Sequence, residues 1–494
     1  MTQRERMSSV DTAWLRMDSP TNLMMIVGVM IFADPIDFAR LKRTLEFRLL
    51  GYRRFRQRVV HDVTGAWWEL DPNFYIDAHL VRVSLPGKGG KRELERYVAG
   101  QISQNLDHDK PLWQFQLVET YHGGAALIAR IHHCIADGIA LIGVLRTLTD
   151  LSRDAPEEGG ATPWQDSGEQ HDDEDNFWQR IVAPLGDALA KAIRAYGKNG
   201  VGSLRFLADP DWVIGYAKIA AAIAAELIEL ATMPEDSPTR FKGKTGLAKR
   251  VAWSEPMPLE EIKVIGRILG SSVNDILLSC VTGALRQYLV DQGEEVDGVE
   301  VRAFVPVNLR AQDDENHLGN RFGLVALVLP VGIEHPFMRL YEVRRRMQEL
   351  KGSYQALVAM GILGVVGMCP EPVQKQVLSI LSDKGTAVMT NVPGPQQPLY
   401  MAGARLAQQM VWVPQSGNVG MGVSILSYNN HVQFGLMTDK NLVPDPATIV
   451  SRFAPEFEKL VLPLLLDPPE QEEVKVAAPA ARLKRRSRRA RAAA

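Results

Sequence analysis

Residues 130–141 read RIHHCIADGIAL, and five of them could do chemistry: His132, His133, Cys134, Asp137 and Gly138. An imidazole titrates near neutral pH, so a histidine held in a cleft suits general-base work. Two histidines side by side also raise a metal site, and a cysteine beside a histidine raises an activated thiolate. ALIARI before the pair reads as a strand and GIALIGVLRTL after it as a helix, which puts the polar residues in a strand-to-helix turn. Adjacent residues on an extended chain point to opposite faces. That geometry weighs against one metal shared by His132 and His133, and against Cys134 as a nucleophile activated by His133. It leaves one histidine for the reaction and one for the scaffold. Asp137 can orient an imidazole, or it can hold the turn by binding backbone N–H groups or an arginine at the helix start. Gly138 allows close backbone approach. On these residues alone, a catalytic turn and a structural one stand equally open.

Other chemistries are excluded by inspection. There is no G-x-S-x-G, no H-E-x-x-H and no glycine-rich dinucleotide fingerprint, and GKTG at 243–246 lacks the glycine five residues before Gly243 that a phosphate loop needs. Cys134, Cys280 and Cys369 are too far apart to suggest a disulfide framework or a zinc site. The expected compartment is therefore the reducing cytoplasm, with no metal. A net charge of -2 exerts no global pull toward nucleic acid or anionic lipid.

The elements that must position the turn come from a chain of 494 residues, too long for one ordinary core. With 46% hydrophobic and 23% charged residues it falls among globular proteins. MIVGVMIFA, WQFQLVETY and GAALIARIHH read as strands, PIDFARLKRTLEFRLL and KRELERYVAGQISQNL as helices; this mixed order predicts an α/β (α+β) domain over 1–153. Residues 154–175 hold nine acids and no Lys or Arg, and open a linker that continues as an Ala-rich helical block to about residue 245. A second mixed domain is expected over 246–467, with VNDILLSCVTGALRQYLV as a helix and VEVRAFVPVNLR as a strand. Residues 468–494 end in ARLKRRSRRARAAA, seven basic residues and no acid, predicting a disordered tail that can be drawn to anionic lipid. The N-terminus has no apolar h-region, and the longest apolar run, 356–368, is too short to span a bilayer, which takes about 20 residues. Membrane contact is expected to be peripheral.

HHCIADG matches the HHxxxDG signature of acyl-CoA-dependent acyltransferases, a group that includes chloramphenicol acetyltransferase, carnitine acyltransferases and peptide-synthetase condensation domains. The blocks SSVDTAWLRMDSPTNLMMIVGVMIF, KPLWQFQL, VNDILLSCVTGALRQYL, VPVNLR with LGNRFG, TNVPGP and SILSYNNHVQFGLMTD run in order over nearly the whole chain. Together they resemble the bacterial wax ester synthase/diacylglycerol acyltransferase family. The resemblance implies two similar mixed-sheet domains of the chloramphenicol acetyltransferase-like type with the active-site tunnel between them. It implies transfer of a long acyl chain from acyl-CoA, a co-substrate in an enzyme with no cofactor, to a diacylglycerol or a fatty alcohol. Partners would be acyl-CoA, a lipid alcohol acceptor and the surface of a membrane or lipid droplet, with no nucleic acid. The expected location is cytoplasmic, against the inner face of the membrane or lipid inclusions.

Carried over residue by residue, the resemblance makes His133 the general base, with His132 and Asp137 beside it. It adds Pro111, Leu112 and Trp113, then Asn274 and Asp275, then Asn391, Pro393 and Gly394. Each has a plainer reading: Trp113 as a core aromatic entering a strand, Asn274 as the helix N-cap with Asp275 complementing the helix's positive end, and TNVPGP as a turn. Cys134 stands where the family has Ala or Ser, and Met25 where a histidine often stands, which bears on acceptor choice rather than reaction type. Two rivals remain at this stage: a condensation-type acyltransferase with a carrier-protein donor, and a non-catalytic lipid-droplet-binding protein.

Overall fold

Nine consecutive residues, Gly124–His132, form a strand in which every position is buried. Small and branched apolar side chains on both faces require cover on both sides of the sheet, which explains the near-continuous apolar run. The strand pairs antiparallel with Met25–Phe32 on one side and Trp113–Tyr121 on the other. His122 and Gly123 make the hairpin turn at φ 49° and 82°, the double positive pair that a tight two-residue connection demands.

The computed structural model describes residues 4–63, 65–157, 233–308, 322–351, 358–359, 374 and 382–466. Most of the acidic linker, the Ala-rich block, most of the apolar run 356–368, Cys369 and the basic tail lie outside the described residues.

The expected α/β architecture with two mixed sheets is present. The first sheet runs Tyr400–Met401, Ala404–Trp412, Met25–Phe32, Gly124–His132, Trp113–Tyr121, Leu80–Val83. The second runs Phe322–Leu329, Val301–Asn308, Ala387–Pro393, Met421–Tyr428, His431–Asp439, Lys249–Trp253, with Met257–Pro258 also on His431–Asp439. Two of its pairings are parallel and the rest antiparallel. A small three-stranded sheet, Glu5–Arg6, Gly65–Leu70 and Gln57–Asp62, sits apart.

The sheets do not follow the division of the chain at 1–153 and 246–467. Ala404–Trp412 leaves the second half and pairs with Met25–Phe32, Gln409 opposite Met30 and Trp412 opposite Val27. The physical reason is edge saturation: Met25–Phe32 would otherwise present unpaired N–H and C=O groups on a buried strand. The seam between the halves is therefore a packed core. Along Met421–Tyr428, Met421, Val423 and Ile425 join the core of the second half, while Leu426 and Tyr428 join the first. Trp253, Phe322, Trp412 and Met437 also belong to the first core. Among the described residues no single helix is long and apolar enough to cross a membrane. One bent pair, Leu259–Leu269 with Val273–Asp291, passes by length and composition only, and the longer helix is buried in the second core.

TNVPGP corrects the sequence reading. Thr390 to Pro393 are the end of the strand Ala387–Pro393, in parallel register with Met421–Tyr428 from Ala387↔Met421 to Pro393↔Ser427. Proline is tolerated at this strand terminus, and the chain turns only at Gly394. Gly394 N–H donates to the Ser427 carbonyl at 2.8 Å, and a Cβ there would lie 2.4 Å from that same backbone oxygen. Gly394→Ala is thus expected to lower stability by about 1–3 kcal/mol, the usual effect of forcing extra volume into a packed site. Urea unfolding measures it, and an unchanged midpoint would show that the two strands can part without loss.

Candidate active site

The sheet pairing of the strand Gly124–His132 carries on through both histidines, in the registers Trp113↔Ile131 and Met25↔His132. His132 N–H donates to the Leu112 carbonyl at 2.9 Å, and His133 N–H donates to the Met24 carbonyl at 2.7 Å. Each histidine is thereby pinned through its backbone to a different segment. Asp137 then starts the helix Gly138–Leu148: its Oδ1 accepts from Ala140 N–H at 2.9 Å and its carbonyl from Leu141 N–H at 3.0 Å. That is N-cap geometry, with a side-chain oxygen satisfying an N–H the helix cannot. Close approach within the protein is not what Gly138 provides, since an added Cβ there meets nothing within 4 Å.

His132 is 1% exposed, and both ring nitrogens are committed. Cys134 N–H donates to Nδ1 at 3.1 Å, so Nδ1 is the unprotonated nitrogen and Nε2 carries the hydrogen. Nε2–H then faces Asp18 Oδ2 at 3.2 Å. Asp18 also accepts from Met24 N–H and lies 3.8 Å from His108. Burial alone would raise the Asp18 pKa, but the hydrogen bond from His132, the Met24 N–H and the nearby His108 outweigh it and hold the carboxyl below its ordinary value. Both ring nitrogens of His132 are thus engaged within the protein.

His133 turns the other way. Its ring stacks on Trp14 at 4.0 Å between centroids and 19° between planes, and meets Phe322 at 5.5 Å. Trp14 comes from the helix Ser9–Met17, whose start is set by Ser8 accepting from Asp11 N–H at 3.0 Å. Phe322 comes from the edge strand of the second sheet. Trp14 and Phe322 also meet each other at 5.8 Å, so the imidazole belongs to one aromatic cluster drawn from both halves. Cys134 is fully buried, and burial pushes its thiol well above its ordinary pKa, so it is held as the thiol.

Pro111 and Leu112 lead into the strand Trp113–Tyr121, and Leu112 supplies the carbonyl that holds His132. Trp113 is 1% exposed; its Nε1–H donates to the Phe55 carbonyl at 2.8 Å and its ring stacks on His79 at 4.5 Å. It is a core residue that supports the turn from beneath.

Asn274, Asp275 and Asn391 form a second cluster. The N-cap of the helix Val273–Asp291 is Ser272, not Asn274: Ser272 Oγ accepts from Asp275 N–H at 3.2 Å and Asp275 Oδ2 from Ser272 N–H at 2.9 Å. This reciprocal box uses Ser272 and Asp275 and leaves the Asn274 side chain available. Asn391 Nδ2 donates to its Oδ1 at 2.6 Å, so two motifs 117 positions apart meet at one hydrogen bond. Trp14, Asp18, Met24 and Phe322 were not singled out as site residues from the sequence. The MDSP stretch marks a turn at Asp18, but nothing local tells which distant group its carboxylate will hold.

Comparison with known proteins places this geometry. The wax ester synthase/diacylglycerol acyltransferase catalytic-domain model matches residues 7–277, and the C-terminal-domain model of the same family matches residues 318–461. A probable diacylglycerol O-acyltransferase of Mycobacterium tuberculosis is 26% identical over 85% of this chain and 87% of its own. An O-acyltransferase, WSD, of Acinetobacter baylyi is 25% identical over 84% and 86%. Among solved structures, the wax ester synthase/diacylglycerol acyltransferase of Marinobacter aquaeolei VT8 superposes with a TM-score of 0.65 at 20% identity, over 93% of this chain and 99% of that one. The first condensation domain of the CDA synthetase does so with a TM-score of 0.57 at 15% identity, over 93% and 96%. At such identities the superpositions speak for the fold.

The depressed Asp18 pKa has a definite sign in stability. A carboxylate favoured by the fold stabilises above its unfolded pKa of about 3.9, and that contribution is lost as pH falls through the lower folded value. Asp18→Asn is expected to be less stable than the parent at pH 7, with the gap closing as pH drops below the ordinary carboxylate range. Urea unfolding across pH reads this directly; a gap independent of pH would remove the charge from the account.

Proposed function

Because this chain belongs to the wax ester synthase/diacylglycerol acyltransferase family and is an O-acyltransferase of storage-lipid synthesis, we propose that His133 is its base, coenzyme A the carrier of the acyl donor, and a diacylglycerol or long-chain alcohol its acceptor. The observation that carries this reading is the position of the His133 ring, 3% exposed and clustered with Trp14 of the first half and Phe322 of the second. A thioester is already activated, so the protein must supply only a base, an apolar route and the exclusion of water.

His133 accepts the acceptor's hydroxyl proton as the oxygen attacks the thioester carbonyl. On collapse the C–S bond breaks, the proton passes to the departing sulfur, and an ester and free coenzyme A thiol leave. No covalent enzyme intermediate is required. The aromatic rings of Trp14 and Phe322 beside His133 suit an alkyl chain and keep bulk water from competing with the alcohol. His132 and Asp137 act on the backbone of the turn that presents His133. Both substrates partition into lipid, which supports a place for the enzyme at the cytoplasmic face of a membrane or lipid inclusion.

The test is purified protein with labelled palmitoyl-CoA and either dioleoylglycerol or hexadecanol, products separated by thin-layer chromatography. His133→Ala is expected to reduce turnover by about 10²–10⁴-fold, the range of general-base catalysis, while acyl-CoA binding persists. Near-normal turnover in that variant would end the assignment. Asp137→Ala is expected to lose about 1 kcal/mol of stability together with activity, as removal of an N-cap does. Lost rate with unchanged melting would give Asp137 a direct part in tuning His133.

A further inference from the structure

We propose that Lys249 is a positioning residue for acyl transfer: through Asn22 it fixes, from the second half, the segment Asp18–Met24 that holds both histidines. The inference rests on the reading of His133 as the base. It begins from a charge in an unusual place. Lys249 and Asp439 are 4% and 0% exposed and pair at 2.9 Å inside the molecule. Burial pulls the Lys249 pKa down, against the Asp439 hydrogen bond and charge that favour the ammonium. Asp439 is further held by Gly246 N–H at 2.8 Å and Asn441 N–H at 2.9 Å, so the carboxylate is a fixed post. A buried pair of this kind contributes little net stability compared with apolar residues of similar shape, which points to a role in fixing geometry.

What it fixes is Asn22. Lys249 Nζ donates to Asn22 Oδ1 at 2.9 Å, and Asn22 Nδ2 donates to the Gly417 carbonyl at 2.6 Å. Both partners belong to the second half of the chain, and Asn22 itself is 3% exposed. Asn22 closes a tight turn with Ser19, through paired backbone bonds of 3.0 and 3.2 Å and a bond from its N–H to Ser19 Oγ at 3.1 Å. The turn transmits position in both directions along the chain. On its near side Asp18 holds the His132 ring; on its far side the Met24 carbonyl holds the His133 N–H. Asp18 also takes Met24 N–H, which locks the two ends to each other. The histidine turn is thus gripped by a segment of the first half whose own position is set by two hydrogen bonds from the second.

A base displaced by about 1 Å can lose on the order of 10²-fold in rate, so a partial release is expected to act on turnover rather than on substrate binding. Asn22→Ala breaks the link while leaving the Lys249–Asp439 pair intact, and so avoids an unpaired buried charge. It is expected to lower kcat about tenfold with the KM for palmitoyl-CoA changed less than about twofold. In an Asp18→Asn background the same substitution is expected to add little, because the relay is already open. Lys249→Met, if it folds by circular dichroism, is expected to match Asn22→Ala. Unchanged kcat in Asn22→Ala, or losses that simply multiply in the double variant, would overturn the relay. His133→Ala run in parallel keeps the two ideas apart: if it remains active the base assignment has failed, and if it is dead while the losses multiply only the relay has.

Discussion

The rest of the site depends on the double commitment of the His132 ring. One nitrogen must accept the Cys134 N–H, which leaves the other bearing hydrogen and needing an acceptor inside a buried environment. Asp18 meets that need, and once it does, the direction of the next residue is decided. The chain cannot rotate His132 toward the seam without orphaning the buried Cys134 N–H and taking from Asp18 one of its hydrogen bonds. His133 is left to face the second half. The pair thus consists of one ring fixed by its own hydrogen bonds and one turned to the seam.

The seam sets the environment that the presented histidine meets. Trp14 lies against one face of its ring and Phe322 closes from the opposite half, so the imidazole sits among apolar groups. The core of the first half extends through Trp253, Trp412 and Leu426 into the second, so the two halves share one packed interior at this point. Burial there also keeps the neighbouring Cys134 as the thiol.

How much of this was legible in the sequence depended on distance along the chain. The opposite orientation of His132 and His133 follows from the alternation of an extended strand, a rule that uses only neighbours, and the structure has them facing Asp18 and Phe322 respectively. Trp113 as a core aromatic and Asp137 as a cap were readable because strand entry and helix start are local events. The helix beginning near residue 273 was legible too, but its cap was not: Ser272 and Asn274 are both good caps two positions apart, and the reciprocal bond to Asp275 favours Ser272. TNVPGP misled because proline and glycine describe where a chain can turn, while Thr390 to Pro393 are held extended by parallel pairing with Ser424 to Ser427. Asp18 was out of reach because its partner lies 114 positions away. The strand Ala404–Trp412 was out of reach for the same reason, since nothing in its residues states which sheet has an edge to fill.

That strand also gives the chain an order of assembly. Four of the six strands in the sheet carrying the histidines come from the first third of the chain, yet Met25–Phe32 has no neighbour on its outer side until residue 412 has been made. Emerging from a ribosome, the nascent first half exposes that open edge and the aromatic face around Trp14 for the whole time the linker and second half are being translated. Synthesis at about 5–20 residues per second makes this an interval of tens of seconds. A truncated product lacking the last portion would carry an intact histidine motif on an unfinished sheet, sticky rather than active. Translational completeness and catalytic competence are thereby joined in one hydrogen-bonded strand.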